Sequence, residues 1–254
     1  LYGQGSLRLT DRINANVQAV YVKRDSNQQL AEVPLTMATT GTSGPQWAFA
    51  PTAGSVFNPF GQNLRSANFR SIAVGPRKPY YDDDNLAVTL SLDGSFDLAG
   101  RDMYWDVGYS YLANRQTTRG ENYINLFNLR NAVGDSRRNP VTGALECLNG
   151  SGGVIAGCVP YNVFGGPDLG LAAGVISQAE YDAMNRYISY TKNEFAENIT
   201  KDYFANLSGS IVDLPAGPLG FAVGLEHRRT SFVNQPDALV AGGGSSDNFT
   251  EPTN

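Results

Sequence analysis

Apolar and polar residues alternate regularly along the stretch from Asn198 to Arg229. A period of two predicts β-strands, because successive side chains of a strand project to opposite faces. The apolar positions include, before a turn, Ile199, Tyr203, Ala205, Leu207 and Ile211 and, after it, Leu219, Phe221, Val223 and Leu225. The turn contains Pro215, Gly217 and Pro218, which exclude a helix through it. The stretch therefore predicts a β-hairpin with one apolar and one polar face.

Two further stretches repeat this plan. Residues 86–114 give the most regular hairpin, with Leu90 and Val107 on the apolar face and with Asp93 and Asp106 on the polar face. Residues 5–23 give a less regular one. The shared alternation predicts that residues 5–23, 86–114 and 198–231 form three antiparallel hairpins of one sheet.

Long segments without strand periodicity separate the hairpins, over residues 25–85, 115–197 and Asn234–Asn254. Within the second segment, Asn122–Val133 and Ser177–Tyr190 have the pattern of short amphipathic helices. Ser177 followed by Glu180 predicts a capping box at the start of the second helix. Short turns that alternate with long loops are typical of outer-membrane barrels, which have periplasmic turns and extracellular loops.

The surroundings of the apolar face decide the fold class. In a soluble sandwich the face packs on a second sheet, and in a membrane barrel it contacts lipid. The predicted strands are long enough for the roughly 9–11 tilted residues that cross a bilayer. Tyr203 and Phe221 lie near the ends of the apolar face, where aromatic girdles are expected. We therefore expect an all-β fold, a transmembrane antiparallel β-barrel segment of about six strands with long extracellular loops that contain short helices.

Composition and charge argue against a nucleic-acid partner and against a transmembrane helix. The chain has 254 residues and a net charge of −5, which argues against a nucleic-acid partner bound through phosphate neutralisation. No run of about eighteen apolar residues occurs, so no transmembrane helix is expected. The chain opens at Leu1 directly on strand-like sequence, and we expect that processing or truncation removed what precedes it.

Three stretches carry a family resemblance: NITKDYFANLSGSIVDLPAGPLGFAVGLEHRR (residues 198–229), CVPYNVFGG (residues 158–166) and YDAMNRYISY (residues 181–190). They resemble the barrel region of TonB-dependent outer-membrane receptors. The resemblance covers residues 86–254 well and residues 1–85 only in style. It implies a barrel of about 22 strands with an N-terminal plug. Residues 1–254 are then expected to be an internal part of the barrel domain, without the plug and the remaining strands.

The resemblance implies a receptor in the outer membrane of a Gram-negative cell that imports a scarce nutrient. The partners would be the outer-membrane lipid, the TonB complex through the missing N-terminal region, and a small or medium-sized solute. Siderophore, glycan, peptide and cobalamin receptors share this scaffold, so the solute stays open. The alternatives are a passive porin, an outer-membrane enzyme and a soluble secreted β-sandwich adhesin or lectin.

The two cysteines, Cys147 and Cys158, close a short Gly-rich loop. No His or further Cys lies nearby to complete a metal site, so we expect a disulfide in an oxidising compartment rather than a metal or redox pair. His227 is the sole histidine, and its position in the alternation places it on the lipid side. A catalytic triad is therefore not expected, and the chain is not predicted to be an enzyme.

Aromatic and acidic residues of the long loops are the candidates for binding the solute. We select Trp47, Tyr80, Tyr81, Asp83 and Tyr161. The run Asp82–Asp84 could bind calcium through its carboxylates, but a solvated loop end is the preferred interpretation. No cofactor and no bound metal are expected.

Overall fold

The computed structural model describes residues 1–40, 47–247 and 252–253; the remaining parts of the predicted loops, residues 41–46, 248–251 and 254, lie outside the described residues. In chain order the elements are β1 (Tyr2–Thr10), β2 (Ile13–Asn27), β3 (Pro34–Ala38), β4 (Ser66–Arg70), a 3-10 turn (Ile72–Val74), β5 (Lys78–Leu98), β6 (Arg101–Ile124), α1 (Leu126–Ala132), β7 (Ser136–Arg138), β8 (Leu145–Cys147), α2 (Gly166–Ala172), α3 (Gln178–Ile188), β9 (Ser189–Leu214), β10 (Gly217–Gln235) and α4 (Ala238–Ala241). The six long strands form one antiparallel sheet in the order β1–β2–β5–β6–β9–β10. The fold is therefore mostly antiparallel β, and the three predicted hairpins are confirmed.

The register keeps the two predicted faces separate across the sheet. One row across the strands reads Val17, Leu90, Tyr109, Tyr203 and His227, and the adjacent row reads Gln18, Thr89, Ser110, Asp202 and Arg228. We call the side of the first row the apolar face and the side of the second row the polar face. The expected positions of Leu90, Val107, Leu207 and Val223 on one face, and of Asp93 and Asp106 on the other, are confirmed.

Within the described residues, no second layer of structure buries the apolar face. Leu90 is 49% exposed and Val223 is 59% exposed. Of the six long strands, only β6 contributes to the hydrophobic core cluster, through Ile124 at its end. In the described part of the chain, the sheet thus has no inner layer of the kind that a β-sandwich provides.

Successive turns lie progressively further along the strands. The first turn closes at Ile13, whose row continues through Gly94, Trp105 and Leu207. The next two turns begin only after Leu98 and after Leu214, further along β5 and β9 respectively. The strands are therefore staggered in one direction, which is the register shift of a sheet with tilted strands.

The strands extend further into the predicted loops than expected. β5 begins at Lys78, so Tyr80, Tyr81 and Asp82–Asp84 lie in a strand, and their assignment to a loop was wrong. Because these positions are charged, the alternation of apolar and polar residues is not visible in this part of the sequence. Contacts with neighbouring strands stabilise the extension of β5. Lys23 Nζ lies 3.1 Å from Asp82 Oδ2 across the β2–β5 pair.

The long connections fold into a cap at one end of the sheet. We define the cap as the described residues of 28–77 and 125–188. Its buried core includes Leu35, Met37, Leu129, Val133, Tyr161, Met184 and Ile188. The expectation that residues 25–85 contain no regular structure was wrong, because the strands β3 and β4 pair within this segment.

The helices of the cap correspond in part to the sequence pattern. α3 has the predicted capping box, in which Ser177 Oγ accepts from the backbone N–H of Glu180 and the Glu180 carboxylate accepts from the backbone N–H of Ser177. The first helix was predicted to begin at Asn122, but β6 continues to Ile124 and pairs there with Ser189. α1 therefore begins at Leu126, after a cap by the Asn125 side chain. The helices α2 and α4 were not predicted.

The predicted disulfide between Cys147 and Cys158 is confirmed, with Cα atoms 5.7 Å apart. Both residues are buried in the cap, on the same end of the sheet as residues 28–77, as expected. A closed loop of this length stabilises the fold by about 3 kcal/mol through the reduced entropy of the unfolded chain.

None of the described helices is long and apolar enough to cross a membrane.

Candidate functional site

A continuous apolar band crosses the apolar face of the sheet. On β6 it consists of Met103, Trp105, Val107, Tyr109, Tyr111 and Ala113. The next positions on this face are Arg101 at one end and Arg115 at the other. The Arg101 guanidinium lies 2.6 Å from the Asp213 carboxylate, and Arg115 forms an ion pair with Glu197. Charged residues therefore border the apolar band on both sides.

The border next to the cap contains further charged contacts between β2 and β5. Lys23 pairs with Asp82 at 3.1 Å, and the Tyr21 hydroxyl donates to Asp84 at 2.5 Å. We call this row, together with Arg115 and Glu197, the upper charged border. On β2 and β6 the apolar face thus changes from hydrophobic to aromatic to charged within a few residues.

The polar face carries several groups of hydrogen-bonded side chains. Asp93 accepts from the amides of Asn14 and Asn16, at 3.0 and 2.5 Å. Asp106 accepts from the Asn206 amide at 2.8 Å. The Arg228 guanidinium lies 2.7 Å from Glu226 and 3.3 Å from Asp202. These carboxylates are only partly buried, so the polar face is suited to contact with water.

Close to the cap, the polar face forms a small recess. The Gln116 amide donates to Asp83 at 2.7 Å, and the next row places Tyr81 beside Thr118 and Glu194. A depression of about 150 Å³ is lined there by residues that include Gln116, Thr118 and Glu194. We call Tyr81, Asp83, Gln116, Thr118 and Glu194 the upper polar site. Its volume holds several water molecules, at roughly 30 Å³ each.

A buried lysine connects this site to the segment that follows β10. Lys192 Nζ lies 2.8 Å from Glu194, 2.5 Å from Asp247 and 4.8 Å from the centroid of the Tyr123 ring. Burial lowers the pKa of Lys192, but its hydrogen bonds to Asp247 and Glu194 outweigh burial and raise this pKa above its ordinary value. Lys192 therefore remains charged at neutral pH and holds the Glu194 carboxylate in place.

The five residues selected from the sequence do not form one site. Trp47 and Tyr161 are buried in the core of the cap, and the Tyr161 hydroxyl has no hydrogen-bond partner among the described residues. Tyr80 lies on the apolar face, where the Arg119 guanidinium is 5.8 Å from the centroid of its ring. Only Tyr81 and Asp83 belong to the upper polar site.

The other members of this site are Gln116, Thr118 and Glu194, which sequence reasoning missed. Each occupies an even-numbered position that continues the polar alternation of β6 or β9. This alternation was the available signal in the sequence. It identifies these residues only when β6 and β9 are already known to extend this far.

The carboxylates of Asp82–Asp84 do not converge, because consecutive residues of a strand point to opposite faces. Asp82 and Asp84 contact Lys23 and Tyr21 on the apolar face, whereas Asp83 contacts Gln116 on the polar face. Across the part of the chain that the structure describes, no group of three or more acidic, His or Cys side chains is placed to hold a metal ion.

His227 lies on the apolar face beside Tyr203, with ring centroids 6.4 Å apart. Its place in the sheet agrees with the side expected from the alternation.

Comparison with known proteins gives no relative: no family model, no curated protein and no solved structure matches this chain significantly.

Proposed function

We propose that this chain forms part of the wall and the outer cap of a TonB-dependent outer-membrane receptor. In this proposal the apolar face contacts lipid, the polar face lines a hydrated lumen, and the cap lies on the extracellular side. The observation that carries the proposal is the exposed apolar band between two charged borders, opposite a face of hydrogen-bonded polar residues.

The height of the apolar band supports contact with a bilayer. At about 3.3 Å per residue, the distance along β6 from Met103 to Ala113 is about 33 Å. A strand tilt of about 40° reduces this length to a height of about 25 Å, which matches the apolar band of outer-membrane barrels. An exposed apolar band of this size marks a surface for interaction, and its height favours a membrane.

The stagger of the turns supports the tilt. Measured along β9, the third turn lies about seven residues beyond the row of the first turn, from Leu207 to Leu214, and four strand spacings away from it. With about 4.8 Å between strands and about 3.3 Å per residue, this shift corresponds to a tilt of roughly 50°. Barrel strands have tilts of about 35–45°, so the stagger has a size slightly above this range and supports tilted strands.

Closure would require further pairing at the edges of the sheet. Among the described residues, β1 and β10 are the two outer strands. The outer edge of β10 already has a bridge in which Asn234 and Thr253 exchange backbone hydrogen bonds at 2.8 and 3.0 Å. Because unpaired strand edges are not tolerated in lipid, we propose that both edges pair with further strands of a larger barrel.

The cap favours a receptor over a passive porin. Its two connections share a hydrophobic core, and a disulfide closes a loop within the second one, so they form an ordered body at the end of the sheet. An ordered body above a polar wall can present side chains to a solute, as loops on rigid scaffolds commonly do. Because residues 86–254 resemble TonB-dependent receptors, we also propose that uptake of the solute is energised by TonB.

The upper polar site is the part of the wall that we propose to contact the solute. Asp83→Asn should weaken solute binding by about tenfold or more, because a hydrogen bond to an ionised group contributes roughly 1.5–3 kcal/mol. The matched control is Asp84→Asn, which removes the same charge from the next residue but on the apolar face. Binding of a labelled panel of iron chelates, oligosaccharides and peptides to membranes that contain the receptor would measure both variants. Equal affinity of the two variants would exclude Asp83 from the solute site.

The same panel tests energised transport. Uptake in cells that express the receptor should stop when TonB is deleted or the proton gradient is removed, while binding at the surface remains. Unchanged uptake by de-energised cells would support the passive porin instead.

A further inference from the structure

Two cations face each other on the apolar face without a counter-charge. Lys201 of β9 and Arg229 of β10 are directly opposite in the register, and both are exposed. Neither side chain forms an ion pair or a hydrogen bond with any described residue. Like charges directly opposite each other on a sheet destabilise the pair. This arrangement therefore indicates that an anion from outside the chain belongs between them.

The neighbouring cations of the same face are already neutralised. Lys23 pairs with Asp82, and Arg115 pairs with Glu197 on the strand that carries Lys201. Glu197 is thus engaged and does not compensate Lys201. The contrast separates Lys201 and Arg229 from the upper charged border, in which both cations have a carboxylate partner.

Below the two cations the apolar face offers room for a hydrocarbon chain. The next row contains Tyr109, Tyr203 and His227, and the centroids of the two tyrosine rings are 4.9 Å apart. A depression of about 780 Å³ begins at Tyr109 and Tyr203 and extends over Ala205, Val107 and Leu92 towards β1. Small side chains, Ala15 and Gly5, deepen its far side. Cationic, aromatic and aliphatic surfaces therefore follow one another in the order of a lipid's headgroup, interface and chain.

We propose that Lys201 and Arg229 bind the phosphate of an anionic membrane lipid, one chain of which lies in the depression below Tyr109 and Tyr203. The headgroup phosphate accepts hydrogen bonds from both cations, which removes their mutual repulsion. The proposal rests on the proposed function in one respect, namely that the apolar face contacts a bilayer. It adds a defined lipid site that the barrel architecture does not require.

The probe is phosphatidylglycerol, present as a minor component of nanodiscs made from zwitterionic phosphatidylcholine. Native mass spectrometry after release of the protein counts the phosphatidylglycerol molecules that remain bound. Lys201→Gln/Arg229→Gln should reduce the retained fraction by about tenfold or more, since two charge-assisted hydrogen bonds are lost. The matched control is Arg24→Gln/Arg228→Gln, which removes the same charge from the polar face of β2 and β10 and should retain the lipid as the unmodified protein does.

The outcomes distinguish this inference from the function on which it rests. Equal retention by the unmodified protein and by both double variants would overturn the lipid site while leaving the membrane assignment intact. An equal loss in both double variants would also overturn it, because binding would then follow net charge alone. Failure of the unmodified protein to enter nanodiscs of either composition would overturn the lipid site and the membrane assignment together.

Discussion

Leu92→Arg should prevent stable insertion of the protein into vesicles, whereas Ser91→Arg should leave insertion unchanged. Leu92 lies near the middle of the apolar band, opposite Val107, and is 38% exposed. An arginine at the bilayer midplane costs a barrel roughly 2–4 kcal/mol. Ser91 is the adjacent residue on the polar face, where an arginine remains in water. The measurement is the fraction of protein that becomes protease-resistant with the vesicles, followed by the free energy of unfolding of the inserted form.

This pair of variants is matched in the residue introduced and in position along β5, so only the face differs. If both variants insert equally well, the apolar face does not contact lipid. If Ser91→Arg alone fails, the two faces have been assigned the wrong way round.

Leu129→Ala should unfold the cap and leave the sheet folded. Leu129 is fully buried in α1, at the centre of a core that the sheet joins only through Ile124. Truncation of a buried leucine costs about 2–5 kcal/mol, a large share of the stability of a small core. Hydrogen exchange followed by mass spectrometry should show loss of protection in both segments of the cap and unchanged protection in the middle of β5, β6 and β9.

Val141→Ala is the control for this prediction, because Val141 lies in the same cap but is 90% exposed. It should change protection nowhere. Loss of protection in the cap and the sheet together would contradict the separation of the cap core from the sheet. Solute binding should fall with the protection of the cap, since the proposed receptor uses side chains of the ordered cap as well as the upper polar site to contact the solute.

The alternation of side chains was sufficient to predict the three hairpins. A one-residue error in register would move Leu90 or Val107 to the polar face, so a strictly two-faced sequence has one acceptable pairing. The tight turns at residues 99–100 and 215–216 fix that pairing locally. Neighbouring strands therefore followed from sequence wherever the connection was short.

The ends of the strands could not be predicted in the same way. Beyond Leu86 and Ala113 the apolar face becomes charged, and the hydrophobic period on which the prediction depends disappears. Ion pairs such as Lys23–Asp82 stabilise these ends across strands, and such pairs depend on partners that are distant in the chain. Tyr81 and Asp83 were therefore assigned to a loop, whereas both lie in β5.

The core of the cap also could not be predicted from the periodicity of apolar residues. It combines short pieces from two connections, among them Leu35 from the first and Leu129 from the second. Short apolar segments show no hydrophobic period. Which of them pack together depends on the geometry that the sheet imposes. Trp47 and Tyr161 were selected as solute contacts because they lie in loops, but the structure uses both as core residues.

Spin-label accessibility along β6 distinguishes a sheet with one face in lipid and the other in water from a sheet with both faces in water. Single cysteines at positions 107 to 112 can be labelled selectively, because both native cysteines are joined in a disulfide. In reconstituted vesicles, we expect the accessibility of the labels to oxygen and to nickel to alternate with a period of two residues. Labels at Val107, Tyr109 and Tyr111 should be relaxed by oxygen, which concentrates in the bilayer, and labels at Gly108, Ser110 and Leu112 by a water-soluble nickel complex. Equal access of the nickel complex to all six positions would contradict the account.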